Sequence, residues 1–316
     1  MRISTIQAFN TGVRGIQDNY SAVTRTQEQI TSGKRLLTPA DDPVASVRLL
    51  QLDQQASKLA QYKDNLTAAT NSLTQEEAIL NSVNNVLQRV REIALEGGNG
   101  ALDDQARKAL AQELTEREDE LQGLLNSQNA RGEYLFGGYQ SDSEPFVKGA
   151  DGEYSYVGDE GQRFIQIGSA KMVAMNDNGK SLFVAPTAVT ADDQKEEGRV
   201  VLNTVRLLRE TLENADGTVD GDERSSRLAA GLQNIDTAMN QVLGVQTTLG
   251  ARLNVIESTQ LENDEASLIN TTVQSGLEDL DYAEALSRLS MESIVLQAAQ
   301  QSFVKVSGLS LFNFLR

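Results

Sequence analysis

The chain has 316 residues, of which 39% are hydrophobic, 23% charged and only four proline. That is enough for about two domains at the usual ~100–200 residues each, and the lean apolar share suits long helices that bury one stripe and leave the rest in water. The formal net charge is −17, from 28 Lys and Arg against 45 Asp and Glu; this is the wrong field for displacing counterions from nucleic acid or for settling on an anionic membrane.

Cys, His and Trp are absent. Disulfides, thiolate chemistry and Cys or His metal sites are therefore excluded, and so is the commonest general base. Carboxylate chemistry stays open. No stretch approaches the ~20 apolar residues of a membrane span. The start, Met-Arg-Ile-Ser-Thr-Ile, lacks the apolar core of a secretory signal, so any export is expected to use a route that reads none.

In chain order, Ile6, Phe9, Val13, Ile16, Tyr20, Val23, Gln27 and Ile30 alternate spacings of three and four, the a/d seam of a helix that packs along another helix. Gly12 and Gly15 each weaken that helix by roughly 1 kcal/mol relative to Ala. Gly33, Pro39 and Pro43 then break the pattern, and Asp42 is placed to cap the next helix with Pro43 in its first turn. Asp41-Asp42 reads as this cap and not as a metal or acid/base pair.

Leu52, Leu59, Leu66, Leu73, Leu80, Leu87 and Ala94 recur every seven residues, predicting a helix whose stretch from 52 to 94 is roughly 65 Å long. Gly97, Gly98, Asn99 and Gly100 end it; with no preceding strand and no Lys-Ser/Thr at the right spacing, they form a turn and not a phosphate loop. A third helix is expected from about Leu102, folding back antiparallel, with Leu110, Leu114, Leu121 and Leu124 on one face. The acidic clusters Glu76-Glu77, Glu116-Glu118 and Asp279-Asp281 are read as solvated helix faces.

From about 132 the period shortens. Tyr154, Tyr156, Phe164, Ile165, Ile167, Met172, Val173 and Leu182 to Val184 fall in short β-like runs, punctuated by Gly-Asp-Glu-Gly and Asn-Asp-Asn-Gly. The second of these (176–179) is read as a hairpin turn, since it lacks the spacing and final Glu of a calcium loop. Phe136 and Tyr139 are expected to pack at the domain junction. Helical pattern resumes near 194 and runs to about 214. Leu228, Leu232, Ile235, Met239, Val242, Gln246, Leu249, Leu253 and Ile256 form another heptad run, whose seam turns polar at Gln260, Asn263, Ser267 and Asn270. Tyr282, Leu289, Leu296 and Phe303 recur every seven residues at the end, with Leu286, Ala299 and Val306 beside them and a stop expected at Ser307-Gly308.

The fold class expected is mostly α: an elongated antiparallel helical bundle with terminal coiled-coil helices and a small inserted β-rich domain. The expected division is 1–42 with 275–316 as a terminal coiled-coil domain, 43–137 with 192–274 as a helical core, and 138–191 as the insert. Pattern alone is equally compatible with an ordinary bundle whose ends pack internally.

The end motifs carry a resemblance. Met-Arg-Ile-Ser-Thr and Thr-Ser-Gly-Lys-Arg-Leu-Leu-Thr-Pro-Ala-Asp-Asp-Pro at 31–43 closely resemble the N-terminal region of the flagellin and hook-associated superfamily. Gly-Glu-Tyr-Leu-Phe-Gly-Gly-Tyr at 132–139 with Pro145-Phe146, and Ser-Gly-Leu-Ser-Leu-Phe-Asn-Phe-Leu at 307–315, look like the hook-associated protein 3 family. The resemblance implies a structural, non-enzymatic subunit of the bacterial flagellum at the junction of hook and filament. Its terminal helices would line the inner tube and its insert would face outward. It implies export by the flagellar type III apparatus, with a cytoplasmic chaperone on the C-terminal segment. The implied partners are the preceding hook-associated junction protein, flagellin and further copies of the chain, with no nucleic acid, membrane, metal or cofactor. The subunit-interface candidates are Ile6, Phe9, Val13, Ile16, Tyr20 and Val23 on the first helix and Leu289, Leu296, Phe303 and Val306 on the last. Two other classes stay open: a filament flagellin, and an adhesive or glycan-active protein using the insert.

Overall fold

The computed structural model describes residues 2–192, 194–214 and 217–312. The helices are α1 (Arg2–Ser32), α2 (Pro43–Gly97) and α3 (Asp104–Leu125). Then come β1 (Phe146–Lys148), β2 (Tyr154–Tyr156), β3 (Phe164–Gln166), β4 (Met172–Ala174) and the short α4 (Gly179–Phe183). They are followed by β5 (Val184–Ala185), β6 (Ala188–Val189), β7 (Lys195–Glu196) and β8 (Arg199–Val200). The chain continues with α5 (Val201–Glu213), α6 (Gly221–Glu278) and α7 (Tyr282–Phe312). It is thus mostly helical with a small strand-bearing insert, and no described helix is long and apolar enough to cross a membrane. Two compact units form: a terminal unit of residues 1–59 and 264–316, and a central unit of residues 60–263.

In the central unit the heptads bury what they promise. Leu66, Leu73, Leu80 and Leu87 of α2, and Leu228, Ile235, Val242, Leu249 and Ile256 of α6, are all buried. α3 buries Ala111, Leu114, Glu118, Leu121 and Leu125, with Leu110 and Leu124 partly buried against the same cluster. Asp103 caps that helix, accepting from the Ala106 amide at 2.7 Å. α5 lies against α3 and adds Val205, Leu208 and Leu212 to the same apolar cluster.

The insert consists of four antiparallel strand pairs of two or three residues each: β1 with β2, β3 with β4, β5 with β8 and β6 with β7. Isolated pairs this short are marginal in water, so they depend on packing. Phe136, Phe146 and Phe183 supply it. The Phe183 ring meets Phe136 edge-on at 5.1 Å and Phe146 at 5.9 Å, and all three share one cluster with the helical leucines.

Five sequence expectations are corrected here. Residues 194–200 are not the start of a helix. They are β7, a turn at Gly198 with φ +78°, and β8 paired to β5, so α5 starts only at Val201. Asn-Asp-Asn-Gly at 176–179 is not a hairpin turn: Asn178 caps α4 by accepting from the Ser181 amide at 2.9 Å. Ser307-Gly308 does not stop α7, which continues to Phe312, since one glycine lowers helix stability by only about 1 kcal/mol; residues 313–316 lie outside the described residues. Phe136 is buried as expected, but Tyr139 lies mostly in water, tethered by its hydroxyl to the Gln162 carbonyl at 2.9 Å.

The fifth correction concerns charge. Glu76 and Glu118 are each only 2% exposed and are not part of a solvated face. Glu118 accepts from the Tyr154 hydroxyl at 2.9 Å, Arg209 Nε at 3.0 Å and Lys148 Nζ at 3.2 Å, tying β1 and β2 to α3 and α5. A buried carboxylate is tolerable only with partners of this kind.

Candidate functional site

The interface candidates lie in the terminal unit, where α1 and α7 run antiparallel beside each other. Near one end of the pair the Phe9 and Phe303 rings are 5.0 Å apart. Near the other, Arg288 donates to Gln29 at 2.9 Å and Leu280 N–H donates to the Gly33 carbonyl at 3.0 Å. Gly12 permits the approach of Phe303: a Cβ there would lie 2.7 Å from Cδ2 of the ring. Gly33, at φ +71°, turns the chain out of α1 under the Tyr282 hydroxyl.

The connection from α1 to α2 is held by two adjacent carboxylates with separate tasks. Asp41 Oδ2 accepts from the Leu37 and Thr38 amides at 3.0 and 3.1 Å, and Oδ1 from the Thr38 hydroxyl at 3.0 Å. Arg25 of α1 reaches Asp41 at 2.6 Å. The Thr38 and Leu37 amides stabilise the charged form and hold the Asp41 carboxyl below its ordinary value. Asp42 caps α2 through the Ala45 amide at 3.0 Å, as its place before Pro43 predicts. Lys34 pairs with Glu278 of α6, and the hydrogen bond between them raises the Lys34 ammonium above its ordinary value.

What this frame leaves uncovered defines the site. Among the described residues the terminal unit buries Thr26, Gln29, Ala45, Leu52, Asn270, Leu280 and Ala285, of which only two are large aliphatics. Asn270 spends its amide on the Leu52 carbonyl at 2.9 Å, a polar seam contact that sets register at the expense of apolar burial. Val13, Ile16, Val23, Leu289, Leu296 and Phe303 are half-buried. Ile6, Phe9, Tyr20 and Val306 are exposed, Ile6 and Tyr20 each at 64%.

Further exposed residues on α7 escaped the seven-residue reading: Met291, Ile294, Val295 and Val304. A signal was present, because Ile294-Val295-Leu296 places apolar groups all round the helix, the mark of an element covered on every side. Val44, Val47 and Leu50 at the start of α2 form a second exposed apolar row, beside a groove lined by Leu36, Leu37 and Pro39. Exposed apolar surface on this scale marks an association face. Among the described residues no three carboxylates gather as metal ligands.

A body of buried heptads and a terminal helix pair with an open apolar face define a helical subunit with an association face. Two family models match the ends of the chain: bacterial flagellin N-terminal helical region over residues 3–141, and bacterial flagellin C-terminal helical region over residues 232–315. Flagellar hook-associated protein 3 of Salmonella typhimurium is 29% identical over 322 residues, covering 100% of both chains. The protein of the same name from Escherichia coli is 28% identical over 317 residues, covering 99% of each. The two models together match most of the chain, which belongs to the flagellin superfamily and over its full length is similar to hook-associated protein 3. The crystal structure of hook-associated protein 3 from Legionella pneumophila shares the fold, with a TM-score of 0.63 over 72% of this chain and 98% of that one, at 22% identity.

Proposed function

We propose that this chain is a structural subunit of the bacterial flagellum that joins hook to filament, and that it assembles by completing the seam of its terminal helices. The supporting observation is the exposure of that seam: the ten interface candidates are exposed or half-buried, none fully buried, whereas the heptads of the central unit are covered. Isolated helix pairs with few buried groups are marginal. Neighbouring subunits would supply the missing apolar partners, so that ordering of the ends is coupled to binding. Ile6, Phe9, Val13, Ile16, Tyr20 and Val23 with Leu289, Leu296, Phe303 and Val306 would then be the subunit-interface residues.

The same reading assigns 1–42 with 275–316 to the inner coiled-coil part, 43–137 with 192–274 to the helical core and 138–191 to the outward part. Its neighbours are the preceding hook-associated protein, flagellin and further copies of itself. Export is by the flagellar type III apparatus, with a cytoplasmic chaperone holding the C-terminal segment until then.

The test is complementation in a strain that lacks the gene, which should build hooks and release unpolymerised flagellin. The full chain should restore filaments. Chains lacking residues 1–30 or 290–316 should be soluble, with the central unit folded, and should fail to join the hook. Filament growth on either truncation overturns the proposal. A second reading, a filament flagellin, is favoured by the two matching flagellin models; purified chain that polymerises alone into long filaments would select it.

A further inference from the structure

Within the central unit one buried acid has no place in the assembly reading. Residues 66, 69, 73, 76, 80 and 83 of α2 alternate spacings of three and four, and all are buried. Five are Leu, Ala or Val; the sixth is Glu76, set between Leu73 and Leu80. Its Oε1 accepts from the Asp177 amide at 3.1 Å, in the segment that joins β4 to α4. Asp177 is itself buried, and both its oxygens are engaged. Arg252 of α6 donates to them at 2.8 and 3.1 Å, and Gln162 of the β2–β3 connection donates at 2.6 Å. Two further bonds fasten the same segment: the Ser72 hydroxyl to the Met175 carbonyl at 2.8 Å, and the Arg163 amide to Asn176 at 2.8 Å.

The charge count at this junction is uneven. Arg252 and Asp177 neutralise each other through a two-pronged contact, which leaves Glu76 as a second carboxyl in an apolar seam. The charged groups that act on it are Asp177, which opposes its ionisation, and Arg252, which favours it. Burial is the largest influence; with the Asp177 charge it outweighs the Asp177 amide bond and Arg252, which both favour the charged form, and the Glu76 carboxyl is pushed up to about 8.

We propose that Glu76 is a proton-operated latch for the insert: while neutral it lets residues 175–178 seat on the apolar seam of α2, and loss of its proton puts a second buried anion beside Asp177 and loosens the insert at that point. A carboxyl raised from 4.5 to about 8 keeps its proton in the native state over a range where the unfolded chain has released it. The native state therefore binds more protons there, and stability falls as pH rises from 4.5 to about 8. Below that window the contribution is whole, and above it the loss levels off.

The test compares the full chain with its Glu76→Gln variant, which carries a permanently neutral group of the same shape. Unfolding curves of the two should nearly coincide at about pH 5. They should separate as pH rises, the variant becoming relatively more stable by about tenfold in unfolding constant per pH unit. Limited proteolysis within residues 160–183 should follow the same divergence. Parallel curves across the range overturn the latch. Should the variant fail to fold, infrared titration of the native chain decides: a protonated carboxyl band lost with a midpoint near pH 8 supports the latch, and no carboxyl titrating above about pH 6 refutes it.

Discussion

Gly12 and Gly15 are the same residue, one turn apart on α1, yet substitution by alanine should move the helix in opposite directions. Each Gly→Ala change adds about 0.8–1.0 kcal/mol of helix propensity. At Gly15 nothing lies within 4 Å of the added Cβ, so the gain should be kept. At Gly12 the Cβ would lie 2.7 and 3.2 Å from two carbons of the Phe303 ring. That ring must shift, at a cost of about 1–3 kcal/mol for overpacking. Part of the Phe9–Phe303 pairing, worth about 0.5–1.5 kcal/mol, is forfeited as well. The expected net is a gain of about 1 kcal/mol for Gly15→Ala and a loss of about 1 kcal/mol for Gly12→Ala. Amide hydrogen exchange across α1 in the purified monomer reads this directly, slower in the first variant and faster in the second. A Phe303→Ala background closes the cycle, because Gly12→Ala should there become as protective as Gly15→Ala. Equal protection from both substitutions, or a Gly12 effect indifferent to residue 303, would show that α7 does not lie on α1 in solution.

Two further outcomes follow from the carboxylates. Asp41→Asn should speed proteolysis of the 33–42 connection at neutral pH, by removing the charge that holds the Leu37 and Thr38 amides and Arg25. Because the Asp41 carboxyl lies below its ordinary 3.8, its contribution is present above that value and lost as pH falls through the lowered one, so variant and parent should converge in acid. Glu118→Ala should lower the urea midpoint of the central unit by the equivalent of about 3 kcal/mol, the lower end for breaking a buried ion pair, since Lys148 stays half in water. A loss under about 1 kcal/mol would mean that Arg209 and Tyr154 find other partners at little penalty.

Much of the fold was legible because a period-seven leucine row reports burial directly when both helices of a pair belong to one chain. Leu66 to Leu87 and Leu228 to Ile256 are such rows, and they are covered. The end motifs 31–43 and 132–139 added the family. Strands of two residues carry no period at all. β8 is defined by pairing with Val184 and Ala185, some way back along the chain, and residues 195–200 alone could not show it. The α4 cap at Asn178 was hidden for the same reason, since Asn-Asp-Asn-Gly suits a turn or a helix start equally well.

The buried acids were hidden by adjacency. Glu76-Glu77 looks like one solvated cluster until the spacing 73, 76, 80 is followed, which puts Glu76 on the seam; the spacing 114, 118, 121, 125 does the same for Glu118. A heptad position states where a side chain points along its helix and nothing about what meets it there. In the central unit the chain supplies the partner, so even a glutamate at a seam position is enclosed and must find a proton or a cation. In the terminal unit the chain supplies one helix against one helix, so isoleucine and tyrosine at seam positions remain in water. The same periodicity thus yields a latch in one unit and an open face in the other, and the difference is the number of helices available to cover the seam.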